Sequence, residues 1–320
     1  MRGARQRAKG GSGVTTTDGG RLAGRLAAAP ISWGVCEVPG WGVMLPKERV
    51  LAEMHGLGLG ASELGALGYL GDEPEEIRDV LASFSLAAVG GFVPLVLHVR
   101  AAHDQLASDA EHAALLLGEV GGTRFVTAAV VDALWSAPFS LDDSQWDALA
   151  EGLAIVDEVC ARHGLVQVLH PHVGTLVEQA SDVENVLRRS SVLWCLDTGH
   201  LAIGGVDPVA FARENSDHVG LVHLKDVDLE LARAVREHEA TLLEATKAGL
   251  FRALGQGDVD VASVVRILED AGYDGWYVLE QDTAIDEAAA GSAAPAEDVR
   301  ASIDFLAALS GSDSIARAAK

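Results

Sequence analysis

Val192-Leu-Trp-Cys-Leu-Asp197 is a short apolar run that ends on a carboxylate, and three other runs in the chain have the same form. Val166–His170 and Val219–His223 each end on an imidazole, and Gly275–Glu280 ends on a second carboxylate. Continuous apolar runs of this length are typical of strands buried on both faces of a parallel sheet. We therefore expect neighbouring strands whose last residues gather polar side chains at one edge of that sheet.

The rest of the 320-residue chain repeats the alternation of strand and helix. Apolar residues after Pro46 and after Asp143 recur at three- to four-residue spacing, which indicates amphipathic helices. Eight strands, each followed by a helix, predict an α/β fold, a (β/α)8 TIM barrel, over residues 29–310. The predicted strands are Ile31–Gly34, Gly60–Leu64, Leu86–Phe92, Arg124–Val131, Val166–His170, Val192–Asp197, Val219–His223 and Gly275–Glu280.

An open, doubly wound sheet is the alternative fold for the same pattern. That fold prefers a glycine-rich phosphate-binding turn with the spacing G-x-G-x-x-G after its first strand. The segment Trp33-Gly-Val-Cys-Glu-Val-Pro-Gly-Trp-Gly42 lacks this spacing. The closed barrel is therefore the favoured prediction.

The connection between strands seven and eight is much longer than the others, and its surplus covers residues 228–257. It predicts an insertion in the loop after strand seven, at the face where barrels carry their active sites. The insertion is either a lid or a helical addition without a role in the site. Outside the barrel, residues 1–28 are predicted to be a disordered arm or a cloning remnant, and residues 311–320 a flexible tail.

The net charge of −23 argues against nucleic acid or an anionic membrane as a partner, because both require a basic surface. Three cysteines without a C-x-x-C pair give neither a disulfide scaffold nor a zinc finger. No run approaches the roughly 20 apolar residues that span a bilayer. We expect a cytoplasmic protein that binds a small molecule and forms a homo-oligomer.

The four residues that end the late strands are of types that bind a divalent cation. Two imidazoles with two carboxylates suit Mn, Co, Fe or Zn. Each residue by itself could be a polar group that meets water at a strand end, but four neighbouring strands with this feature favour a shared site. The predicted metal ligands are His170, Asp197, His223 and Glu280.

Residues two positions further along three strands should point the same way, because side chains alternate along a strand. These residues are His172, Lys225 and Asp282. Lys225 beside a metal could transfer protons or hold an oxyanion. Its alternative is a surface lysine paired with Asp226, which follows it in sequence.

Two further polar residues stand close to predicted strand ends. His200 follows Asp197 by three residues in Asp-Thr-Gly-His, a turn that could fold the imidazole back over the site. Glu63 ends strand two and would reach the pocket from across the barrel. Each is either a substrate hydrogen-bonding residue or a local turn residue.

Taken together, six segments resemble the xylose isomerase-like barrel superfamily over about residues 29–309. Within it they are most similar to the inosose (2-keto-myo-inositol) dehydratases and related sugar isomerases and epimerases. A further segment, Leu250–Asp258, resembles the chain that precedes the last strand in that family. The six segments are Ile31-Ser-Trp-Gly34, Ser62-Glu-Leu-Gly65, His170-Pro-His-Val-Gly-Thr175, Leu196-Asp-Thr-Gly-His200, Val222-His-Leu-Lys-Asp226 and Gly275-Trp-Tyr-Val-Leu-Glu-Gln-Asp282.

The resemblance implies a metal held by Asp197, His223 and Glu280, with Mn or Co favoured and Mg, Fe or Zn as alternatives. Many isomerases and epimerases of the superfamily have a glutamate on strand five, where this chain has His170-Pro-His172. His170, His172 or water would then complete the ligand set. The predicted catalytic residues are Glu280, Lys225, His200 and His172, and the predicted substrate-binding residues are Trp33, Glu63, His200 and Lys225.

A dication bound to a ketone and its neighbouring hydroxyl would acidify the adjacent C–H and give an enediolate. Expulsion of a β-hydroxyl then gives dehydration, whereas return of a proton gives isomerisation or epimerisation. The predicted function is a metal-dependent lyase that dehydrates a keto-inositol or a similar keto-polyol. The alternatives are a ketose isomerase or epimerase and a sugar-binding barrel without chemistry; the acidic body disfavours cleavage of abasic DNA.

Overall fold

The computed structural model describes residues 22, 24–36, 38 and 40–318, with side chains described up to residue 309. Eleven strand segments are present among these residues. They are β1 (Leu26–Ala28), β2 (Ala61–Ser62), β3 (Ala87–Ala88), β4 (Gly90–Leu95), β5 (Arg124–Ala129), β6 (Val166–Leu169), β7 (Leu193–Asp197), β8 (Val219–Leu224), β9 (Asp226–Val227), β10 (Phe251–Arg252) and β11 (Tyr277–Leu279).

Nine of these segments form one parallel sheet in the order β3-β2-β1-β11-β8-β7-β6-β5-β4. The two ends of that order, β3 and β4, are one stretch of chain interrupted only at Val89. The amide of Val89 donates to Ser62 O at 2.9 Å, and its carbonyl accepts from Thr123 N at 2.9 Å. Val89 therefore joins the sheet to itself, and the eight-stranded TIM barrel predicted from the sequence is confirmed.

Eleven helices surround and cap the barrel in the described part of the chain. The longest with a defined cap, Asp143–Arg162, begins where Asp142 and Gln145 form a capping box and ends before Gly164, whose φ is +70°. The helices are α1 (Lys47–Gly56), α2 (Pro74–Ser83), α3 (His103–Glu119), α4 (Asp143–Arg162), α5 (Ala180–Arg189), α6 (Thr198–Ile203), α7 (Pro208–Asn215), α8 (Leu229–Arg236), α9 (Leu242–Lys247), α10 (Val261–Ala271) and α11 (Ala294–Ala318).

Two apolar cores result from the alternation of side chains along the strands. Inward-facing residues fill the barrel itself, and outward-facing residues pack against the helices. The inner core takes at least one small or branched residue from every strand: Ala27, Ala29, Ala61, Val89, Val126, Val168, Cys195, Leu221 and Val278. Because these residues close the interior, the site has to lie above them at the mouth, where the strands end.

The first strand differs from its prediction. The run Ile31–Gly34 contributes to a 3-10 helix, Pro30–Trp33, and the strand is Leu26–Ala28. Pro30 lacks an amide hydrogen for the sheet and its fixed φ suits the first turn of a helix, which explains the shift. The strand therefore lies within the predicted arm, whose residues 1–21 and 23 are outside the described residues. At the other end, α11 extends the helical backbone to Ala318, into the predicted tail. The domain limits stay predictions.

The insertion at residues 228–257 is a helical structure attached to the barrel. It contains α8 and α9, and β10 returns antiparallel to β9, with Phe251 opposite Val227. Buried side chains of the insertion pack with Ile203 of α6. Asp226 fixes the end of the insertion, because its carboxylate accepts the amides of Gly255 and Gly257 at 2.9 and 3.0 Å.

In the described part of the chain, none of the helices combines the length and the hydropathy that crossing a bilayer requires.

Candidate functional site

Four neighbouring strands deliver the central side chains of the site. In the register of the sheet, Asp197 on β7 lies opposite His223 on β8, and His223 lies opposite Val278 on β11. His170 and Glu280 follow the last residues of β6 and β11. Each of the four polar residues stands two positions after an inner-core residue of its strand, so all four point into the barrel mouth. They are buried, with exposed fractions of 2% for His170, 0% for Asp197, 1% for His223 and 8% for Glu280.

Donor atoms of these four residues approach one another in pairs. Among the described residues, the groups in which all donor atoms lie close together are Glu63-His223-Glu280, His170-Asp197-His200 and His170-Cys195-His223. His170 Nε2 is 3.1 Å from Asp197 Oδ2, and His223 Nδ1 is 3.6 Å from the same oxygen. His223 Nδ1 is also 3.0 Å from Glu280 Oε2. Ligands that share one ion at bonds of about 2.0–2.2 Å are separated by about 3–4 Å, so these distances suit a single cation.

Lys225 lies among the carboxylates of the cluster and is 2% exposed. Its Nζ is 3.0 Å from Asp197 Oδ2 and 3.3 Å from Asp282 Oδ1, and it also donates to Glu280 Oε2. The Asp226 carboxylate instead accepts the backbone amides of Gly255 and Gly257 at the end of the insertion. The alternative of a surface pair between Lys225 and Asp226 is therefore wrong, because the alternation of the strand sends the two side chains to opposite faces.

The buried charges shift the pKa values of the cluster in a consistent way. Burial by itself would raise the pKa of Asp197, but Lys225 and the neighbouring imidazoles hold it well below its usual range. Burial would also raise the pKa of Glu280, and His223 and Lys225 lower it. For Lys225 burial lowers the pKa, but Asp197, Asp282 and Glu280 raise it well above the ordinary value. Both carboxylates and the ammonium are thus charged at neutral pH.

The cluster has more acidic than basic side chains, and bound protons offset part of this negative charge. Burial raises the pKa of Asp282 to about 6, with Lys225 opposing and Glu280 reinforcing the shift. Burial would lower the pKa of His223, but the carboxylates of Glu280 and Glu63 contribute to raising it well above its ordinary value. A dication would supply the positive charge that these protons supply here.

Unpaired buried atoms give a second test of the fit to a metal. Within the described residues, His223 Nδ1 is buried and forms no regular hydrogen bond, although it lies 3.0 Å from Glu280 Oε2. Buried polar atoms in native proteins are almost always paired, so this nitrogen is suited to bind a cation. The residues present therefore fit a divalent cation held by Asp197, His223 and Glu280, with His170 beside them.

Two neutral imidazoles with opposite proton positions stand next to this cluster. Burial lowers the pKa of His172 to about 3 and that of His200 well below its ordinary value. His172 Nδ1 donates to Val173 O at 2.7 Å, so its Nε2 carries the lone pair. His200 Nδ1 accepts from Val173 N at 3.4 Å, so its Nε2 carries the proton. The two ring centroids are 4.0 Å apart, which places a base beside an acid.

Asp197 also determines where His200 stands. The Oδ1 of Asp197 accepts the amide of His200 at 2.7 Å and so caps the short helix α6. The other oxygen, Oδ2, faces the imidazoles and Lys225. One carboxylate therefore joins the strand end, the helix start and the charged cluster.

The two remaining substrate-binding predictions have different surroundings. Glu63 is 3% exposed and its Oε1 accepts from His223 Nε2 at 2.9 Å, so it reaches the cluster from the far side of the barrel. Trp33 is fully buried in the core between the barrel and the helices, and its Nε1 donates to Glu53 Oε2 at 2.7 Å. The structure brings Glu63 to the cluster but not Trp33, because the 3-10 helix turns the indole toward α1.

Sequence reasoning missed an aromatic wall beside His172. Phe92 stacks on Trp135 with centroids 6.1 Å apart, and the rings lie 5.7 and 6.0 Å from that of His172. Trp135 adopts a φ of +54°, a strained value for a bulky residue. Leu134 next to it is 88% exposed. The signal that the sequence offered was a pair of adjacent apolar residues, Leu134 and Trp135, in the loop after a predicted strand.

Asp282 was also absent from the predicted site residues, although its spacing from Glu280 pointed to it. Its side chain is 7% exposed and contacts Lys225. The alternation that predicts Lys225 from His223 predicts Asp282 from Glu280 as well. We include it in the site.

The amino-acid sequence is similar to those of several bacterial proteins. Over 275 residues it is 29% identical to an inosose dehydratase of Geobacillus kaustophilus, covering 82% of this chain and 89% of the relative. It is 29% identical over 270 residues to the rhizopine catabolism protein MocC of Rhizobium meliloti, covering 81% of each chain.

The fold is similar to that of an L-ribulose 3-epimerase, with a TM-score of 0.66 at 17% identity, covering 92% of this chain and 96% of the other. At this identity the likeness concerns the fold. The family described as xylose isomerase-like TIM barrel matches residues 48–309, which is most of the chain. The chain therefore belongs to the xylose isomerase-like TIM barrel family.

Proposed function

We propose that the protein is a divalent-metal-dependent lyase that removes water from a keto-inositol or a similar keto-polyol. The observation that carries this proposal is the pair of neutral imidazoles, His172 and His200, with a lone pair on one Nε2 and a proton on the other. Dehydration next to a ketone needs a base for the α-proton and an acid for the departing β-hydroxyl. Two adjacent side chains meet both needs.

In this proposal His172 Nε2 takes the α-proton, and His200 Nε2–H protonates the leaving hydroxyl, which departs as water. The C–H electron pair forms the new C=C bond as the C–O bond breaks, so no oxidant or reductant is needed. The two imidazole rings are 4.0 Å apart, which suits removal of the proton and the hydroxyl from one face of the substrate. Epimerisation instead requires proton transfer at two opposite faces.

A divalent cation, with Mn or Co favoured, would be held by Asp197, His223 and Glu280 together with His170. When bound it would polarise the ketone and so make the adjacent C–H more acidic. Lys225 is 3.0 Å from Asp197 Oδ2 and would balance the remaining carboxylate charge and hold a substrate oxygen. The aromatic wall of Phe92 and Trp135 would contact the C–H face of the polyol ring.

The relatives support the choice of substrate class. The sequence relative from Geobacillus kaustophilus is named inosose dehydratase, and it aligns over most of its length. A ketose epimerase is the second candidate, because the barrel superposes on that of an L-ribulose 3-epimerase. The position after β6 holds His170 rather than the glutamate of many epimerases, which favours the dehydratase.

The proposal is tested by incubating the protein with 2-keto-myo-inositol and Mn²⁺, Co²⁺ or Mg²⁺ in separate reactions. We expect ultraviolet absorbance from an enolised diketone, and its loss when the metal is chelated. The same reactions in deuterated water distinguish the candidates. Deuterium in recovered substrate without loss of water would indicate the epimerase, and no absorbance with any of the three metals would overturn the lyase.

A small-molecule substrate is part of this proposal. The homo-oligomer, the cytoplasmic location and the absence of nucleic-acid and membrane partners stay predictions from composition.

A further inference from the structure

Glu63 occupies a fixed position at the end of β2. Its amide donates to Ala28 O at 3.1 Å, and the next amide, of Leu64, donates to Gly90 O at 3.1 Å. Ser62 Oγ also donates to Glu63 O at 2.7 Å. Hydrogen bonds to both neighbouring strands hold this backbone, so the Cα of Glu63 has a fixed position at the barrel mouth.

From this position Glu63 reaches across the barrel to β8. Strands β2 and β8 are separated in the sheet by β1 and β11, yet Glu63 Oε1 is 2.9 Å from His223 Nε2. The side chain lies in the layer directly above Ala61 of the inner core. A residue whose role is only in the local turn would not extend into the barrel. A residue whose role is only to bind substrate would not need a hydrogen bond to a protein imidazole.

The opposite edge of the His223 ring faces the carboxylates. Its Nδ1 is 3.0 Å from Glu280 Oε2 and 3.6 Å from Asp197 Oδ2, and it has no hydrogen-bond partner among the described residues. An imidazole that donates Nε2–H to a carboxylate keeps its Nδ1 lone pair for a cation, and such carboxylates raise the basicity of the ligand. The two ring nitrogens of His223 therefore have different surroundings: Nε2 contacts Glu63, and Nδ1 faces Asp197 and Glu280.

We infer that Glu63 is a positioning residue: it holds the Nε2 proton of His223 and directs Nδ1 toward Asp197 and Glu280, where a dication would bind. The inference rests on the proposed function, since a directed Nδ1 matters for a metal site. It replaces the expectation that Glu63 binds substrate. Glu63 acts on the reaction through the orientation of His223 and does not touch the substrate.

The first experiment measures Mn²⁺ affinity by calorimetry in the wild type and in Glu63→Ala, Glu63→Gln and Glu269→Gln. We expect the Kd for Mn²⁺ to rise by about 10- to 100-fold in Glu63→Ala, the usual effect of losing such a partner. Glu63→Gln should show a smaller rise, because the amide oxygen still accepts the proton. Glu269→Gln, a glutamate at the other end of the barrel, should keep the wild-type Kd.

The second experiment needs no metal and uses ¹⁵N-labelled protein. We expect a downfield Nε2 proton resonance of His223, assigned by its absence in His223→Gln, and an upfield shift of that resonance in Glu63→Gln. Wild-type protein that binds no dication would overturn the proposed function, while the resonance still tests the contact. An unmoved resonance, or a raised KM for 2-keto-myo-inositol at unchanged Mn²⁺ affinity, would overturn the inference.

Discussion

The two ends of the barrel each carry a group of charges, buried at the mouth and half-buried at the other end, and the two groups differ in how fully they are paired. At the end where the strands begin, Arg25 Nη2 donates to both carboxylate oxygens of Glu269 at 2.6 and 2.7 Å, and Tyr277 Oη donates to Glu269 at 2.8 Å. Arg25 also donates to Tyr273 O at 2.9 Å. This group has one cation for one carboxylate.

At the mouth, one ammonium faces three carboxylates, and several imidazole nitrogens have no partner among the described residues. Unpaired buried charge costs stability unless a ligand compensates it. The paired group is suited to stabilise the fold, whereas the group at the mouth is the one that the proposed function assigns to a cation and a substrate. Removing one member of each group measures the difference.

The largest expected effect is on activity after Asp197→Asn. This change keeps the oxygen that caps α6 but removes the charge next to His170 and Lys225, so kcat/KM should fall by about 10²–10⁴-fold. Steady-state kinetics with 2-keto-myo-inositol and Mn²⁺ measures it. Glu269→Gln is the matched control and should keep the wild-type kcat/KM; equal losses in both variants would contradict the division between the two ends.

The second-largest expected effect is on the free energy of unfolding. It shows whether the carboxylates at the barrel mouth need a cation beside them. Lys225→Met leaves three buried carboxylates without their ammonium and should lower the free energy of unfolding by about 3–5 kcal/mol without metal. Saturating Mn²⁺ should reduce the difference in unfolding free energy between Lys225→Met and the wild type, because the dication replaces the lost charge.

Urea denaturation with and without Mn²⁺ measures this difference. Arg25→Met is the control at the other end, where Mn²⁺ should leave the difference from the wild type unchanged. If Mn²⁺ does not reduce the difference in unfolding free energy between Lys225→Met and the wild type, Lys225 stabilises the fold by packing and not by balancing the carboxylate charge.

The smallest effect is the pH dependence contributed by one neutral imidazole of the mouth. The pKa of His200 is lowered by burial, so below about pH 6.5 the unfolded chain binds a proton that the folded chain does not. Stability therefore falls as the pH falls, by about 1.4 kcal/mol per pH unit for this group. His200→Asn should lose that part of the slope between pH 6 and 5.

Urea denaturation at several pH values measures the slope in both proteins. The exposed His218, outside both charged groups, supplies the control variant His218→Asn, which should keep the wild-type slope. An identical slope in His200→Asn and the wild type would show that His200 is already charged in the fold, and it could not then act as the neutral acid.

Much of the fold could be predicted because it depends on local pattern. The apolar runs before Asp197 and His223 are long enough for buried strands, and side-chain alternation then predicts the inward direction of Lys225. The prediction failed at the first strand, where the run Ile31–Gly34 has the right composition. Pro30 starts a helix there, and Trp33 turns into the outer core as a result.

The barrel and the polar residues at the ends of its late strands can be predicted from the amino-acid pattern, because both follow from local periodicity along the chain. The partners of those residues become known only from the folded barrel: Lys225 contacts three carboxylates, Glu63 contacts His223, and His172 and His200 have opposite proton positions. Such pairings join strands and loops far apart in the chain. They depend on the closure of the barrel and on how closely its strands bring side chains together, which no local pattern encodes.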